Sequence, residues 1–273
     1  MASILRKPLA FFKKDFLMEV SYRFSFMFQF ASIFFSVVMF YFVAKLIGDA
    51  PSVKNSLSAY GGNYFSFVLI GIAFSNFLSV GLGSFSSSIR SEQMIGTLEA
   101  MLVTPTTLSN IVLSSSQWNF AFTSLRVGVY LLLGVLMFGV DLGNAAVLPA
   151  LSALILTVVA FSSLGIISAS FIMIFKRGDP IAWALSTSST LLGGVYYPIA
   201  ILPDWLQTLS YAFPITYSLN AIRLSLLQGQ GFSEVGGDLL SLVAFSVITL
   251  PISLLSFRYA VSRAKKDGSL SYY

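Results

Sequence analysis

Two glutamates, Glu92 and Glu99, are seven residues apart. If residues 90–104 are helical they share a face, since seven residues make about two turns. Met94, Leu98, Met101 and Leu102 form an apolar stripe on the same stretch, and Pro105 stops it. Such a segment can seat its apolar side on a larger body and offer carboxylates to basic groups of a partner. On these residues alone it serves equally well as a plain connector. Arg126 and Arg223 stand in strongly apolar surroundings. A charge inside a membrane segment is a functional hypothesis by default, and both arginines are candidates for a substrate path. The alternatives are snorkelling or a polar helix contact for Arg126, and marking the outer end of a broken helix for Arg223.

Covalent and acid–base chemistry is poorly supplied. With 0 His and 0 Cys there is no histidine base, no thiol nucleophile, no disulfide and no Cys/His metal site. None of the eight lysines follows a glycine, so the chain holds no P-loop for ATP. Gly81-Leu82-Gly83 does not complete a dinucleotide fingerprint, because position 86 is serine. The expectation is a chain without catalytic residue, cofactor or metal of its own.

The elements that position these residues must live in a bilayer. Of the 273 residues only 10% are charged, 56% are hydrophobic and 15% aromatic, and the mean hydropathy is +0.84. A soluble domain carries roughly 25% charged residues. Six stretches are long and apolar enough to span, at residues 24–44, 65–85, 118–140, 153–175, 181–202 and 239–257. The fifth contains Gly193, Gly194 and Pro198, and the apolar run after it is cut by Pro214. Half-helices that enter and leave one face fit this region better than a simple span. Tyr196, Tyr197, Trp205 and Tyr211 suit the outer interface belt. In the second stretch Gly71, Ser75, Ser79 and Gly83 recur at every fourth position, a small-residue ridge suited to close helix packing within the chain or between two copies. Residues 1–23 alternate apolar and charged positions at helical spacing and read as an amphipathic helix in the interface.

Orientation follows from the basic residues. With the N-terminus inside, twelve of the sixteen Lys and Arg fall on the inner side. Lys45, Lys54 and Arg223 fall outside, and Arg126 within a span. The positive-inside rule therefore puts both termini in the cytoplasm. It also explains the net charge of +5 without nucleic acid.

Glu-Gln-Met-Ile-Gly-Thr-Leu-Glu at 92–99 with Leu-Val-Thr-Pro at 102–105 resembles the cytoplasmic segment of type-2 ABC exporter permeases. Leu-Leu-Gly-Gly-Val-Tyr-Tyr-Pro at 191–198, Leu-Pro-Asp-Trp-Leu at 202–206 and Phe-Pro-Ile-Thr-Tyr at 213–217 are similar to that family's re-entrant region. The order and spacing agree over nearly the whole chain, while Met94-Ile95 stands where relatives often carry charge.

The resemblance implies an all-α membrane protein of six transmembrane helices. An N-terminal interfacial helix (1–23), a transmembrane domain (24–259), a cytoplasmic coupling helix, a re-entrant region before the last helix and a cytoplasmic tail (260–273) would make up the chain. It implies a permease subunit of an ATP-driven exporter in the inner membrane, working with a second permease, itself or a homologue. ATP and Mg would be held by separate nucleotide-binding ABC ATPase subunits, met through Glu92, Gly96, Thr97, Leu98, Glu99, Thr104 and Pro105. A secondary carrier or channel, or a membrane scaffold without transport, remain the alternatives. A coupled carrier generally needs acidic groups at mid-membrane, and the spans offer none.

Overall fold

A computed structural model of the chain describes residues 2–48, 50–95, 108–175 and 179–266. Bilayer solvent dictates the architecture, because every backbone N–H and C=O at membrane depth must be paired within its own segment. Among the described residues the secondary structure is entirely helical. In chain order the α-helices are α1 (Ala2–Ser21), α2 (Arg23–Ile47), α3 (Pro51–Ser56), α4 (Tyr64–Ile95), α5 (Leu108–Phe138), α6 (Val147–Phe175), α7 (Pro180–Leu192), α8 (Asp204–Ser210), α9 (Pro214–Gln228) and α10 (Phe232–Lys266). Single 3₁₀ turns lie at Ser58–Tyr60 and Ile199–Ile201.

Five of these helices, α2, α4, α5, α6 and α10, are long and apolar enough to cross a membrane. The stretch at 181–202 does not form a sixth of that length. Its helix, α7, ends at Leu192 after 13 residues, about 20 Å at 1.5 Å per residue against an apolar core of roughly 30 Å. The second span is longer than its apolar stretch, since α4 runs on without a break through Arg90 and Glu92 to Ile95. The first turn of the expected cytoplasmic helix is thus continuous with a spanning helix. Gly96, Thr97, Leu98, Glu99, Thr104 and Pro105 lie outside the described residues.

The bundle is built around α4. In its spanning window 72% of residues are buried, against 11% in α2 and 17% in α10, so α4 is the hub and the other two are rim helices. Phe67, Leu69, Ile70, Leu78 and Leu82 of α4 are fully enclosed. α6 packs along both α4 and α10, α5 lies against α4, and α9 fills the space among α4, α6 and α10. α1 turns away from α2 at Tyr22 and lies against α5. Phe12 and Phe16 set their rings edge-on to Trp118, with centroids 5.2 and 5.4 Å away. Aromatic pairs of this geometry contribute about 0.5–1.5 kcal/mol beyond burial.

Candidate functional site

Three polar constellations interrupt the apolar bundle, one at each end and one within it. The first is built on Asp179. This residue caps α7: its carboxylate accepts from the Ala182 N–H at 2.9 Å, and Pro180 supplies the preset first helical turn. The same carboxylate accepts from Ser86 Oγ of α4 at 3.0 Å and from Ser168 Oγ of α6. One side chain thereby ties together three helices at the end of the bundle from which α4 leads toward residues 96–107. Sequence reasoning missed it, although Asp-Pro before an apolar run is a helix-start signal.

The second constellation is the break after α7. α7 stops at Gly193, where a Cβ would sit 2.1 Å from Ile215 Cγ2 and 2.4 Å from the Ser189 carbonyl, so nothing larger fits. Gly194 follows at φ +75°, a left-handed conformation that side chains disfavour. Pro198 and Pro203 hold extended backbone on either side of the 3₁₀ turn, and Pro214 opens α9 at its first position. Trp205 to Leu227 is consequently divided into α8 and α9. Trp205 and Tyr211 are exposed.

Arg223 of α9 lies at the centre of the break and is 2% exposed. Its Nε donates to the Phe67 carbonyl at 3.1 Å, Nη1 to Gly194 at 2.8 Å and Nη2 to Val195 at 3.0 Å. Two of these acceptors follow the C-terminus of α7, where carbonyls lack helical partners and a cation is favoured. The guanidinium also lies 3.4 Å from the centroid of the Phe67 ring. Gly71 makes the arrangement possible, for a Cβ there would come within 2.1 Å of the Val195 carbonyl and 2.4 Å of Arg223 Nη2. Beside it, Tyr60 Oη donates to Asn220 Oδ1 at 2.7 Å, and Asn220 Nδ2 donates to Asp238 Oδ2 at 2.7 Å. This links the turn before α4 to α9 and α10. Burial pushes the Tyr60 phenol above its ordinary pKa. Tyr60, Asn220, Arg223 and Asp238 share a cavity of about 250 Å³.

The third constellation holds Arg126. It donates to Gln29 Oε1 of α2, and Gln29 Nε2 donates in turn to Glu19 of α1. The guanidinium carbon lies 4.8 Å from the centre of the Phe122 ring. Arg126 therefore makes a polar helix contact that relays through Gln29 to Glu19 of α1. Its Nε is buried with no hydrogen-bond partner among the described residues.

The small-residue ridge behaves unevenly. Gly71 is buried against the break, Ser75 is half-buried, Ser79 is exposed, and a Cβ on Gly83 would meet nothing within 4 Å. A close helix crossing lies two positions off the ridge, at Gly81 and Gly165. A Cβ on Gly165 would fall 2.1 Å from the Gly81 carbonyl, and one on Gly81 2.6 Å from Phe161 Cβ. Glu92 lies near the C-terminal end of α4.

A family model described as ABC-2 type transporter matches residues 9–227. That range takes in α2, α4, α5 and α6, the α7–α8 break and all but the last residue of α9. Among individual proteins, the chain is 26% identical over 168 residues to the inner membrane transport permease YadH of Escherichia coli, covering 62% of this chain and 65% of that protein. It is 27% identical over 227 residues to nodulation protein J of Sinorhizobium fredii, covering 78% and 84% of the two chains. It is 25% identical over 140 residues to the linearmycin resistance permease protein LnrN of Bacillus subtilis, covering 51% of this chain and 36% of that one.

Proposed function

This chain belongs to the ABC-2 type transporter family, and on that premise we propose that it is the permease subunit of an ATP-driven exporter, forming the path by which a substrate leaves through the membrane. The observation that carries this reading is the family match over residues 9–227, with four helices of bilayer length inside it. Because the sequence has no P-loop, ATP and Mg belong to separate ABC ATPase subunits. The segment from Glu92 to Pro105 is assigned to docking them, its apolar stripe seated on the bundle and its carboxylates turned to basic groups. Two permeases, identical or homologous, and two ATPases complete the machine in the inner membrane, with both termini of the permease in the cytoplasm. α7, α8 and α9 form its re-entrant region on the outer side. A permease named for linearmycin resistance among the relatives supports export as the direction.

ATP-driven closure of the ATPases would press on 92–105 and, through the continuous helix α4, on the centre of the bundle. The test is to co-express the chain with its genomic neighbours and purify it through a tag. Reconstitution should then give substrate-stimulated ATP hydrolysis together with transport. Transport by the purified chain without any ATPase would refute the assignment.

A further inference from the structure

The cavity of about 250 Å³ at the α7–α9 break is lined by polar groups whose spare bonding capacity is of one kind. Four of its hydroxyls already donate their protons to the protein. Ser56 Oγ donates to the Ser52 carbonyl at 2.9 Å, Thr216 Oγ1 to the Ser210 carbonyl at 2.6 Å and Tyr217 Oη to the Tyr211 carbonyl at 3.1 Å. Tyr60 Oη is the fourth, and the direction of its bond to Asn220 Oδ1 is fixed, because Asn220 Nδ2 faces the Asp238 carboxylate, which only accepts. The three nitrogens of Arg223 likewise each donate to a carbonyl. A hydroxyl that has donated keeps its lone pairs, so the lining is rich in acceptors and short of free protons.

Asp238 gives this lining a charge. It lies half-buried in the second turn of α10, accepts from Asn220 and forms no ion pair among the described residues. Arg223 does not neutralise it, since the guanidinium is turned to the carbonyls of residues 67, 194 and 195 and to the Phe67 ring. The rings of Tyr211 and Tyr217, with centroids 6.2 Å apart, form an aromatic wall beside it, and aromatic faces attract cations.

From these observations we infer that the cavity binds the protonated primary amine of a small organic ligand, its ammonium group paired with Asp238. Such a group brings three N–H donors and no acceptor, the complement of this lining. Its charge compensates a carboxylate that is otherwise held half out of water without a partner. The tyrosine rings and Phe67 accommodate the carbon body attached to it. A divalent metal ion fits less well, because it gathers six or more oxygens with several carboxylates among them, and Asp238 is the one carboxylate that lines the cavity among the described residues. This site is independent of the export reading, and its occupancy is measured without any ATPase.

The probes are n-butylammonium chloride, n-butyltrimethylammonium chloride and 1-butanol, each titrated at neutral pH onto the full chain in detergent, against a detergent blank. Isothermal titration calorimetry and the ligand-induced shift in melting temperature are the readouts. Butylammonium should bind at least about tenfold more tightly than 1-butanol, since a hydrogen bond to a charged group contributes about ten- to a hundredfold. It should bind about fivefold more tightly than butyltrimethylammonium, which keeps the charge and lacks the N–H donors. Asp238→Asn, whose amide oxygen still accepts from Asn220, should lose at least about tenfold in butylammonium affinity. Glu234→Gln removes an exposed carboxylate one turn earlier on α10 and should change it by less than about twofold. Equal binding of butylammonium and 1-butanol to the parent would overturn the site, a comparison that needs no variant. Equal binding of the two cations would overturn the primary amine as its ligand. Undiminished affinity in Asp238→Asn, or an equal loss in Glu234→Gln, would overturn Asp238 as the partner.

Discussion

Arg223 shows how a charge deep in an apolar chain can be structural in its contacts. Its three bonds diverge to carbonyls of residues 67, 194 and 195, a pattern that a planar fork of donors can meet and a single ammonium cannot. Arg223→Lys should therefore lower stability by about 3 kcal/mol, read as a fall in melting temperature and in monodisperse yield in detergent. Glycines provide a matched comparison on one helix. Gly71→Ala places a methyl against the Val195 carbonyl and should cost more than about 2 kcal/mol, in the range of overpacking. Gly83→Ala meets open space and should be neutral or stabilising by up to about 1 kcal/mol through helix propensity. Thermal melts of the two variants side by side decide this, and equal effects would contradict the geometry. None of Arg223's acceptors could be read from its sequence neighbours, because backbone carbonyls carry no residue signature and two of them belong to another helix's end.

At the scale of elements, the pattern of apolar residues marks α2, α4, α5, α6 and α10, and the glycines and prolines at 193, 194, 198 and 214 mark where the chain departs from a straight helix. What it leaves hidden is how far each helix runs. α4 continues past its apolar stretch to Ile95 because polar residues at a helix end are no obstacle outside the hydrocarbon, and only packing or a breaker would stop it. The Asp179 cap was equally readable from Asp-Pro, whereas its serine partners on α4 and α6 are 93 and 11 residues away and belong to the tertiary fold. Asp179→Ala removes the cap, takes away the acceptor of Ser168 and leaves Ser86 with the Gly83 carbonyl alone. It should destabilise by about 1–2 kcal/mol, measured by thermal unfolding. It should also raise protease sensitivity near residues 176–180, since the start of α7 loses its tie to both neighbours. Unchanged proteolysis would mean that the three helices are held by something else.

For the molecule as a whole, the charge asymmetry and the assigned coupling segment make separable predictions. Glu92→Cys and Gly178→Cys should resist a membrane-impermeant thiol reagent in intact cells, while Lys54→Cys, Gly143→Cys and Glu234→Cys should react. Labelling at position 92 from outside would reverse the orientation. Glu99→Lys should weaken association with the ATPases only modestly, as exposed ion pairs contribute about 0–1 kcal/mol. It should reduce transport far more, because force transmission depends on geometry. Co-purification yield and transport by reconstituted vesicles measure the two effects separately, and parent-like transport would remove the segment from coupling.

The crossing of Gly81 with Gly165 has a mechanical consequence. Gly165 meets the backbone carbonyls of Gly81 and Leu82, and Gly81 meets the Phe161 Cβ, which no rotamer change can move aside to absorb a displacement. Sliding one helix along the other would drive the neighbouring Phe161 or Leu82 into that contact, whereas a change in crossing angle leaves it intact. The point acts as a fulcrum. A push at the Ile95 end of α4 would then swing the Tyr64 end the opposite way, where the turn bearing Tyr60 meets α9 and α10. A pivot there would swing the two ends of α4 in opposite senses, by a scissoring of two rods that requires no helix to bend.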